Sequence, residues 1–138
     1  MVAMLSDDKP IYLQVKEYLM GEILNGAYSD DEQIPSTNEL ASFFSINPIT
    51  VLKGVTMLSE EGIIYKKRGI GMFVSTGARK LIQEQYRQDF VEKDMESFVQ
   101  KTKALRFSKK ELFNLIEQRW NTPSPNETSP KEKDKNNG

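Results

Sequence analysis

Apolar residues recur at spacings of three and four along several stretches of this 138-residue chain. Such spacing places side chains on one face of a helix, so it predicts amphipathic helices. The first predicted helix runs from Pro10 to Gly26, because proline suits a first helical turn and glycine adopts the left-handed conformation that ends a helix. Its apolar face consists of Ile11, Tyr12, Val15, Leu19, Ile23 and Leu24.

Two more predicted helices are separated by only a short turn. Ser36 and Glu39 have the spacing of a capping box, which starts the second helix. Asn47 is placed to cap the third, with Pro48 at its first position and Gly62 at its end. Two capped helices joined by about three residues indicate a helix-turn-helix. Their predicted inward-facing residues are Leu40, Phe43, Phe44, Val51, Val55 and Leu58.

A predicted β-hairpin follows the third helix at once. Short apolar runs at Ile63–Tyr65 and Met72–Val74 flank a basic turn at Arg68–Gly71. The predicted fold class is therefore mostly α with a small β-hairpin, an N-terminal winged helix-turn-helix followed by a short two-helix dimerisation segment. In such proteins the helix enters the major groove of DNA and the hairpin reaches the neighbouring backbone or minor groove.

The segment after Gly77 has helical spacing from Leu81 to Leu105, with a bend or an interruption, and Ser108 with Glu111 caps a last short helix. Two helices of this size cannot enclose a core, so we predict that a second copy covers them. Its aromatic residues are typical of a packing seam, with a pocket for a small-molecule effector as the alternative. The predicted dimerisation residues are Tyr86, Phe90, Met95, Phe98, Leu112, Phe113, Ile116 and Trp120.

These patterns divide the chain into four parts. Residues 1–9 are predicted to form a flexible arm, residues 10–76 the winged helix-turn-helix and residues 77–120 the helical dimerisation segment. Residues 121–138 contain Pro, Ser, Asn, Lys and Glu without large apolar side chains, so they are predicted to be a disordered tail.

The composition argues against an enzyme. The chain has no cysteine and no histidine, which removes thiolate zinc sites and the usual general base. Gly69-x-Gly71 lacks the third glycine of a dinucleotide fingerprint, because Val74 stands there. We therefore expect no cofactor and no metal. No apolar run is long enough to span a membrane and the N-terminus lacks a signal-peptide core, so the expected location is the cytoplasm.

The charge distribution bears on nucleic-acid binding. Residues 1–77 carry six Lys and Arg against ten Asp and Glu, within a total net charge of −1. Yet Lys53, Lys66, Lys67 and Arg68 all lie in the third helix and the hairpin, and DNA affinity depends on such local placement. Double-stranded DNA is the predicted partner, with modest affinity per copy. The acidic total favours the alternative, a winged-helix protein-interaction module without DNA binding.

The order and spacing of several motifs resemble the GntR family of bacterial transcription regulators. The matching stretches are Pro10-Ile11-Tyr12 with Gln14, Ile34-Pro35-Ser36, Asn47-Pro48-x-Thr50-Val51, Glu61-Gly62-Ile63-Ile64 and Arg68-Gly69-x-Gly71-x-Phe73-Val74. The short segment that follows is similar to that of the YtrA-like subgroup. The resemblance implies a homodimeric repressor of a two-fold symmetric operator, with a transporter operon as its target.

The resemblance also implies which residues contact DNA. Asn38 stands where the family usually has an arginine, so its contact should be weaker. Thr50 suits a phosphate or a thymine methyl, and Lys53 a phosphate or a guanine. Ile49 either reads a thymine methyl or is half-buried. Arg68 suits the negative potential of a narrow minor groove. The predicted DNA-binding residues are Ser36, Asn38, Asn47, Ile49, Thr50, Lys53, Lys67, Arg68 and Gly69.

Gly54 is a departure from that family pattern, which has alanine in the middle of this helix. A glycine there costs about 1 kcal/mol of helix propensity. Close packing of the first helix against the third is one explanation.

Overall fold

The structure is a computed structural model, and it describes residues 5–123. The predicted class, mostly helical with a small antiparallel hairpin, is confirmed. No helix within the described residues is long and apolar enough to cross a membrane. In chain order the elements are α1 (Ile11–Leu24), α2 (Thr37–Phe44), α3 (Pro48–Glu60), β1 (Ile64–Lys67), β2 (Gly71–Val74), α4 (Ala78–Asp89), a π-helical segment (Phe90–Met95), α5 (Glu96–Ala104) and α6 (Lys109–Trp120).

The chain divides into two compact units, with the boundary between Asp89 and Phe90. This boundary differs from the predicted division after residue 76, because Ala78 and Ile82 of α4 are buried in the core of the first unit. The helices α1, α2 and α3 pack on one another, and α4 packs on α1. The core of this unit consists of Val15, Leu19, Met20, Ile23, Ile34, Leu40, Ala41, Phe44, Val51, Val55, Leu58, Ile63, Ile64, Val74, Ala78 and Ile82.

Residues 5–9, which were predicted to belong to a flexible arm, contact α1. The side-chain amide of Gln14 donates to the carbonyl oxygens of Ser6 at 2.7 Å and Lys9 at 2.8 Å. The Lys9 ammonium forms an ion pair with Glu17 at 2.9 Å. These contacts hold this part of the segment along the helix. Residues 1–4 of the predicted arm and residues 124–138 of the predicted tail lie outside the described residues.

The predicted caps of α2 and α3 are present. The Ser36 hydroxyl accepts a hydrogen bond from the Glu39 backbone N–H at 3.1 Å, and the Glu39 carboxylate accepts one from the Ser36 N–H. Asn47 Oδ1 accepts from the Ile49 N–H at 2.8 Å. Ser45 has a φ of 57° in the turn between the two helices. Because the caps satisfy N–H groups that lack helical partners, they define where both helices begin.

The wing, residues 64–74, is a longer hairpin than the apolar runs predicted. Its strands pair from Ile64 with Val74 to Lys67 with Gly71, so the loop contains residues 68–70. The apolar run of the first strand ends at Tyr65, but the pairing continues through Lys66 and Lys67. Strand pairing depends on backbone hydrogen bonds, which lysines also form. Gly69 has a φ of +77° at the tip, a conformation that glycine adopts readily.

A third strand-like segment lies along β2, where the sequence predicted only a polar link. The N–H of Asp31 donates to the Val74 carbonyl at 2.8 Å, and the N–H of Ile34 donates to the Met72 carbonyl at 2.9 Å. Between them Gln33 is paired with Phe73. Residues 31–34, the linker edge, therefore join the wing to the start of α2.

The packing of α1 on α3 explains Gly54. A Cβ atom at this position would lie 2.6 Å from the backbone carbonyl oxygen of Tyr12, which is shorter than a van der Waals contact permits. Gly54 is itself buried. The close approach of the two helices therefore requires a residue without a side chain.

Gly54→Ala is expected to destabilise the protein, although alanine has the higher helix propensity. The helices must separate to admit the methyl group, and overpacking of this kind costs about 1–3 kcal/mol. Urea and thermal unfolding measure the change. Gly21→Ala in α1 is the matched control, because nothing lies within 4 Å of its Cβ position. The control should stabilise by about 0.5–1 kcal/mol. Equal stabilisation by both substitutions would contradict the packing argument.

The second unit contains the π-helical segment, α5 and α6. The predicted interruption in the long helical pattern corresponds to the π-helical segment. The predicted cap of the last helix is present, because the Ser108 hydroxyl accepts from the Glu111 N–H at 3.1 Å. No side chain in residues 90–123 is buried. The unit thus lacks a core of its own over this range.

Candidate nucleic-acid interface

A cleft of about 380 Å³ lies between α3 and the wing. Three parts of the first unit meet there: the linker edge with the start of α2, the outer face of α3, and the inner face of the wing. Its lining consists of Gln33, Ile34, Ser36, Thr37, Leu52, Val55, Thr56, Ser59, Glu60, Lys66, Ile70, Gly71 and Met72. The arrangement presents a helix and a hairpin tip on the same side of the unit, as a duplex-binding surface requires.

Most of the predicted DNA-binding residues are accessible. Thr50 is half-buried, and the other eight are exposed. Ser36 also lines the cleft, at the start of α2. Asn47 and Ile49 lie at the beginning of α3, where Ile49 is 74% exposed. Ile49 is therefore not half-buried, and its contact with a thymine methyl stays a prediction.

The cations of this surface are available for a ligand. Among the described residues, no ion pair involves Lys53, Lys66, Lys67 or Arg68. By contrast, the Lys16 ammonium is paired with the Glu61 carboxylate. Exposed cations that have no acidic partner attract the phosphate groups of DNA.

The lysines point in different directions. Lys53 Nζ lies 4.0 Å from the centroid of the Tyr12 ring, which directs this side chain toward α1. Lys67 Nζ lies 4.3 Å from the centroid of Phe73, on the face of the wing that also carries Tyr65. Lys66 lines the cleft instead. The two wing lysines therefore lie on opposite faces of β1: Lys66 is on the α3 side, whereas Lys67, the one predicted to contact DNA, is on the other.

The base of the wing is held by the linker edge. The Tyr65 hydroxyl donates a hydrogen bond to Asp31 at 2.8 Å. That bond, with smaller contributions from desolvation and from the charge of Asp31, raises the pKa of Tyr65 above its ordinary value. Asp31 has a φ of 63°. A second carboxylate, Asp30, accepts from the N–H of Gly77 at 3.1 Å.

Sequence reasoning missed several residues of the cleft. Leu52, Thr56 and Ser59 follow one another at spacings of four and three on α3, so helical periodicity of the exposed face was the available signal. Leu52 and Ile70 are exposed apolar side chains within the lining. No sequence pattern indicated Gln33, because it reaches the cleft only through the pairing of the linker edge with β2.

The part of the chain that the structure describes offers no group of three or more acidic side chains that could hold a metal ion. The cleft itself offers amide and hydroxyl groups, one lysine, the Glu60 carboxylate and exposed apolar side chains.

Of the predicted dimerisation residues, seven lie in the second unit, and Tyr86 lies on α4 in the first. Burial raises the pKa of Tyr86 above its ordinary value, and Glu17 and Asp89 add to the effect while Lys9 opposes it. In the second unit, α5 and α6 line an apolar groove of about 580 Å³. Leu112 is half-buried, and Phe90, Met95, Phe98, Phe113, Ile116 and Trp120 are exposed.

Comparison with known proteins agrees with this geometry. The family described as "Bacterial regulatory proteins, gntR family" matches residues 11–74. A GntR family transcriptional regulator from Listeria monocytogenes is 30% identical with a TM-score of 0.64, over 83% of this chain and 98% of its own. The HTH-type transcriptional repressor YtrA of Bacillus subtilis is 36% identical over 54% of this chain and 58% of its own length.

A DNA complex is also among the similar structures. The DNA-binding domain of AraR, solved with its operator ORX1, is 32% identical with a TM-score of 0.50, over 54% of this chain and 95% of that domain. This chain spans only 35%, 27% and 18% of the length of three longer curated relatives that it matches. The similarity to those proteins is thus confined to a part of each.

Proposed function

The chain belongs to the GntR family of bacterial transcription regulators, and from this premise we propose that it is a homodimeric repressor that binds a two-fold symmetric DNA operator. Each copy inserts α3 into a major groove and places the tip of the wing on the neighbouring backbone or minor groove. Occupation of the promoter by the dimer blocks transcription. The family membership also argues against an enzyme.

The cleft between α3 and the wing carries the DNA-binding part of this proposal. It joins exposed residues of two elements on one side, and the cations beside it have no acidic partner among residues 5–123. The similarity to the operator-bound domain of AraR supports the same orientation. The predicted contacts at Ser36, Asn38, Asn47, Thr50 and Lys53 belong to this proposal. On the wing, Lys66 replaces the predicted Lys67, because Lys66 is the lysine that lines the cleft.

The exposed apolar surface of the second unit supports the homodimer. Residues 90–123 include no buried side chain, yet Phe98, Phe113 and Trp120 are 45%, 64% and 84% exposed. Apolar surface of this extent is characteristic of an interaction site. A second copy presents the same surface and can cover it in a symmetric dimer. The proposed dimerisation surface therefore consists of the exposed apolar side chains of residues 90–120, whereas residues 77–89 of the predicted segment belong to the first unit.

Salt dependence tests the DNA-binding proposal directly. With three or four phosphate contacts per copy, the logarithm of the binding constant should fall against the logarithm of salt concentration with a slope of about −5 to −7 for the dimer. Titration of labelled duplex DNA across salt concentrations measures the slope. A protein-interaction module, the second candidate, would show no salt-dependent binding to random duplex DNA. The exposed side chains of Leu52 and Ile70 favour that candidate.

The resemblance to YtrA-like regulators supports a proposal for the regulated genes. We propose a transporter operon as the target. Selection of bound fragments from genomic DNA identifies the operator and its neighbouring genes together. A thermal shift with a panel of small molecules tests for an effector at the dimer surface.

Ile49→Ala should change the preferred operator sequence more than the overall affinity. Its exposed side chain stands in the first turn of α3, where it can contact a thymine methyl group. Loss of such a contact should cost about 1 kcal/mol at one base position of each half-site. Selection from a randomised DNA library measures the preference. Affinity for random duplex DNA is the control and should be unchanged. An unaltered preference would assign Ile49 no role in reading bases.

A further inference from the structure

The tip of the wing is held by a side chain from outside the wing. Gln33 Nε2 donates a hydrogen bond to the carbonyl oxygen of Ile70 at 3.0 Å, across 37 positions in the sequence. Ile70 lies in the hairpin loop beside Arg68 and Gly69. Its N–H donates to the Lys67 carbonyl at 3.0 Å. Both backbone groups of Ile70 are therefore used within the protein.

The neighbouring glycine leaves room for this bond. A Cβ atom on Gly71 would lie 2.5 Å from Gln33 Nε2, so any side chain there would displace the amide. Gly71 also has a φ of +147°, which L-residues rarely adopt. The Gln33 amide therefore occupies space that is open only because residue 71 is a glycine.

The backbone of Gln33 is fixed as well. Its neighbours in the linker edge bond to β2, and Gln33 itself is paired with Phe73. Two residues farther along the chain comes Pro35, and then Ser36, which caps α2. One short segment therefore connects the start of a helix at the cleft with the tip of the wing.

We propose that Gln33 is a positioning residue for DNA recognition: it holds the hairpin loop so that Arg68 and Gly69 meet the duplex in register with α2 and α3. This inference rests on the proposed DNA-binding function. Gln33 acts through the loop, because its amide is occupied by the Ile70 carbonyl. Without that bond the loop would sample more conformations, and ordering it on DNA would oppose binding.

Gln33→Leu tests the proposal, because leucine removes the donor and keeps a similar size. Operator affinity should fall about fivefold to tenfold, as for the loss of one hydrogen bond in each copy. Gln83→Leu, the same change at an exposed position on α4, is the matched control and should bind as the unaltered protein does. Thermal unfolding of both variants verifies that the fold persists.

A double-substitution cycle separates positioning from a merely structural role. If Gln33 acts through the wing, Gln33→Leu should cause no further loss of affinity in a protein that already carries Arg68→Ala. Losses that multiply would overturn the proposal, because Gln33 would then act by another route. Unchanged affinity of Gln33→Leu alone would overturn it too.

Amide hydrogen exchange in the free protein gives a readout that does not depend on DNA. The Ile70 N–H should exchange faster in Gln33→Leu, whereas the Val74 N–H, bonded to the Glu32 carbonyl at 2.9 Å, should keep its rate. If the unaltered protein does not bind DNA, the proposed function is wrong. The exchange rates then show independently whether Gln33 holds the hairpin loop. Equal Ile70 exchange in both proteins overturns the positioning role.

Discussion

Phe113→Asp should convert the protein to a monomer and lower its operator affinity by at least about a hundredfold. A carboxylate in an apolar interface is desolvated without a partner, which costs several kcal/mol per copy. Once the dimer is lost, each half-site binds its copy separately. The high effective concentration that a linked second module provides, of the order of millimolar, then disappears. Sedimentation velocity measures the mass, and operator titration measures the affinity.

The substitution leaves the fold of the single chain intact, because Phe113 is 64% exposed there. Asn114→Asp is the matched control: it adds the same charge one position farther along α6, on the helix face that carries Glu111, Glu117 and Gln118. The control should remain a dimer with unchanged affinity. A Phe113→Asp protein that stays dimeric would exclude this face of α6 from the interface. An unaltered protein that is monomeric at micromolar concentration would reject the homodimer itself.

Arg68→Ala should weaken binding to every DNA sequence by about thirtyfold. Each copy loses one cation at the wing tip, worth about 1 kcal/mol, and the symmetric dimer loses two. The salt slope should become shallower by about 2, in line with the loss of one phosphate or minor-groove contact per copy. Because Arg68 is exposed and has no ion pair among the described residues, its removal should not change the unfolding temperature.

Two variants control for simple loss of charge. Lys103→Ala removes a cation from α5, which is not among the elements proposed to contact DNA, and should leave affinity nearly unchanged. Arg68→Lys keeps the charge and should restore the salt slope, but only part of the affinity, because lysine lacks the planar guanidinium that fits a narrow minor groove. Unchanged operator binding by Arg68→Ala at physiological salt would show that the wing tip does not contact DNA.

The local patterns in the sequence identified most of the first unit. Ser36 with Glu39, Asn47 with Pro48, and Ser108 with Glu111 start helices through bonds between near neighbours, so their consequences can be read without knowledge of the rest of the fold. The hairpin was found for the same reason, from two apolar runs on either side of a turn that contains glycine. Pairing continues through Lys66 and Lys67 because the backbone supplies the hydrogen bonds.

Contacts between residues far apart in the sequence could not be predicted from such local patterns. The place of α4 in the first unit depends on Ala78 and Ile82, which are buried in the same core as residues of α1. The orientation of Lys53 depends on Tyr12, and that of Lys67 on Phe73. Gln33 appeared to belong to a polar link, and its bond to Ile70 exists only because residues 31–34 run beside β2.

The amino-acid sequence alone determined the class of the fold, the helix starts, the basic hairpin and the resemblance to a family of regulators. These features depend on residue type and on spacings of a few positions. The tertiary structure decided which side chains share the cleft and why Gly54 must lack a side chain. It also decided what holds the tip of the wing. Those features depend on distances between segments far apart in the chain, which only the packed core sets.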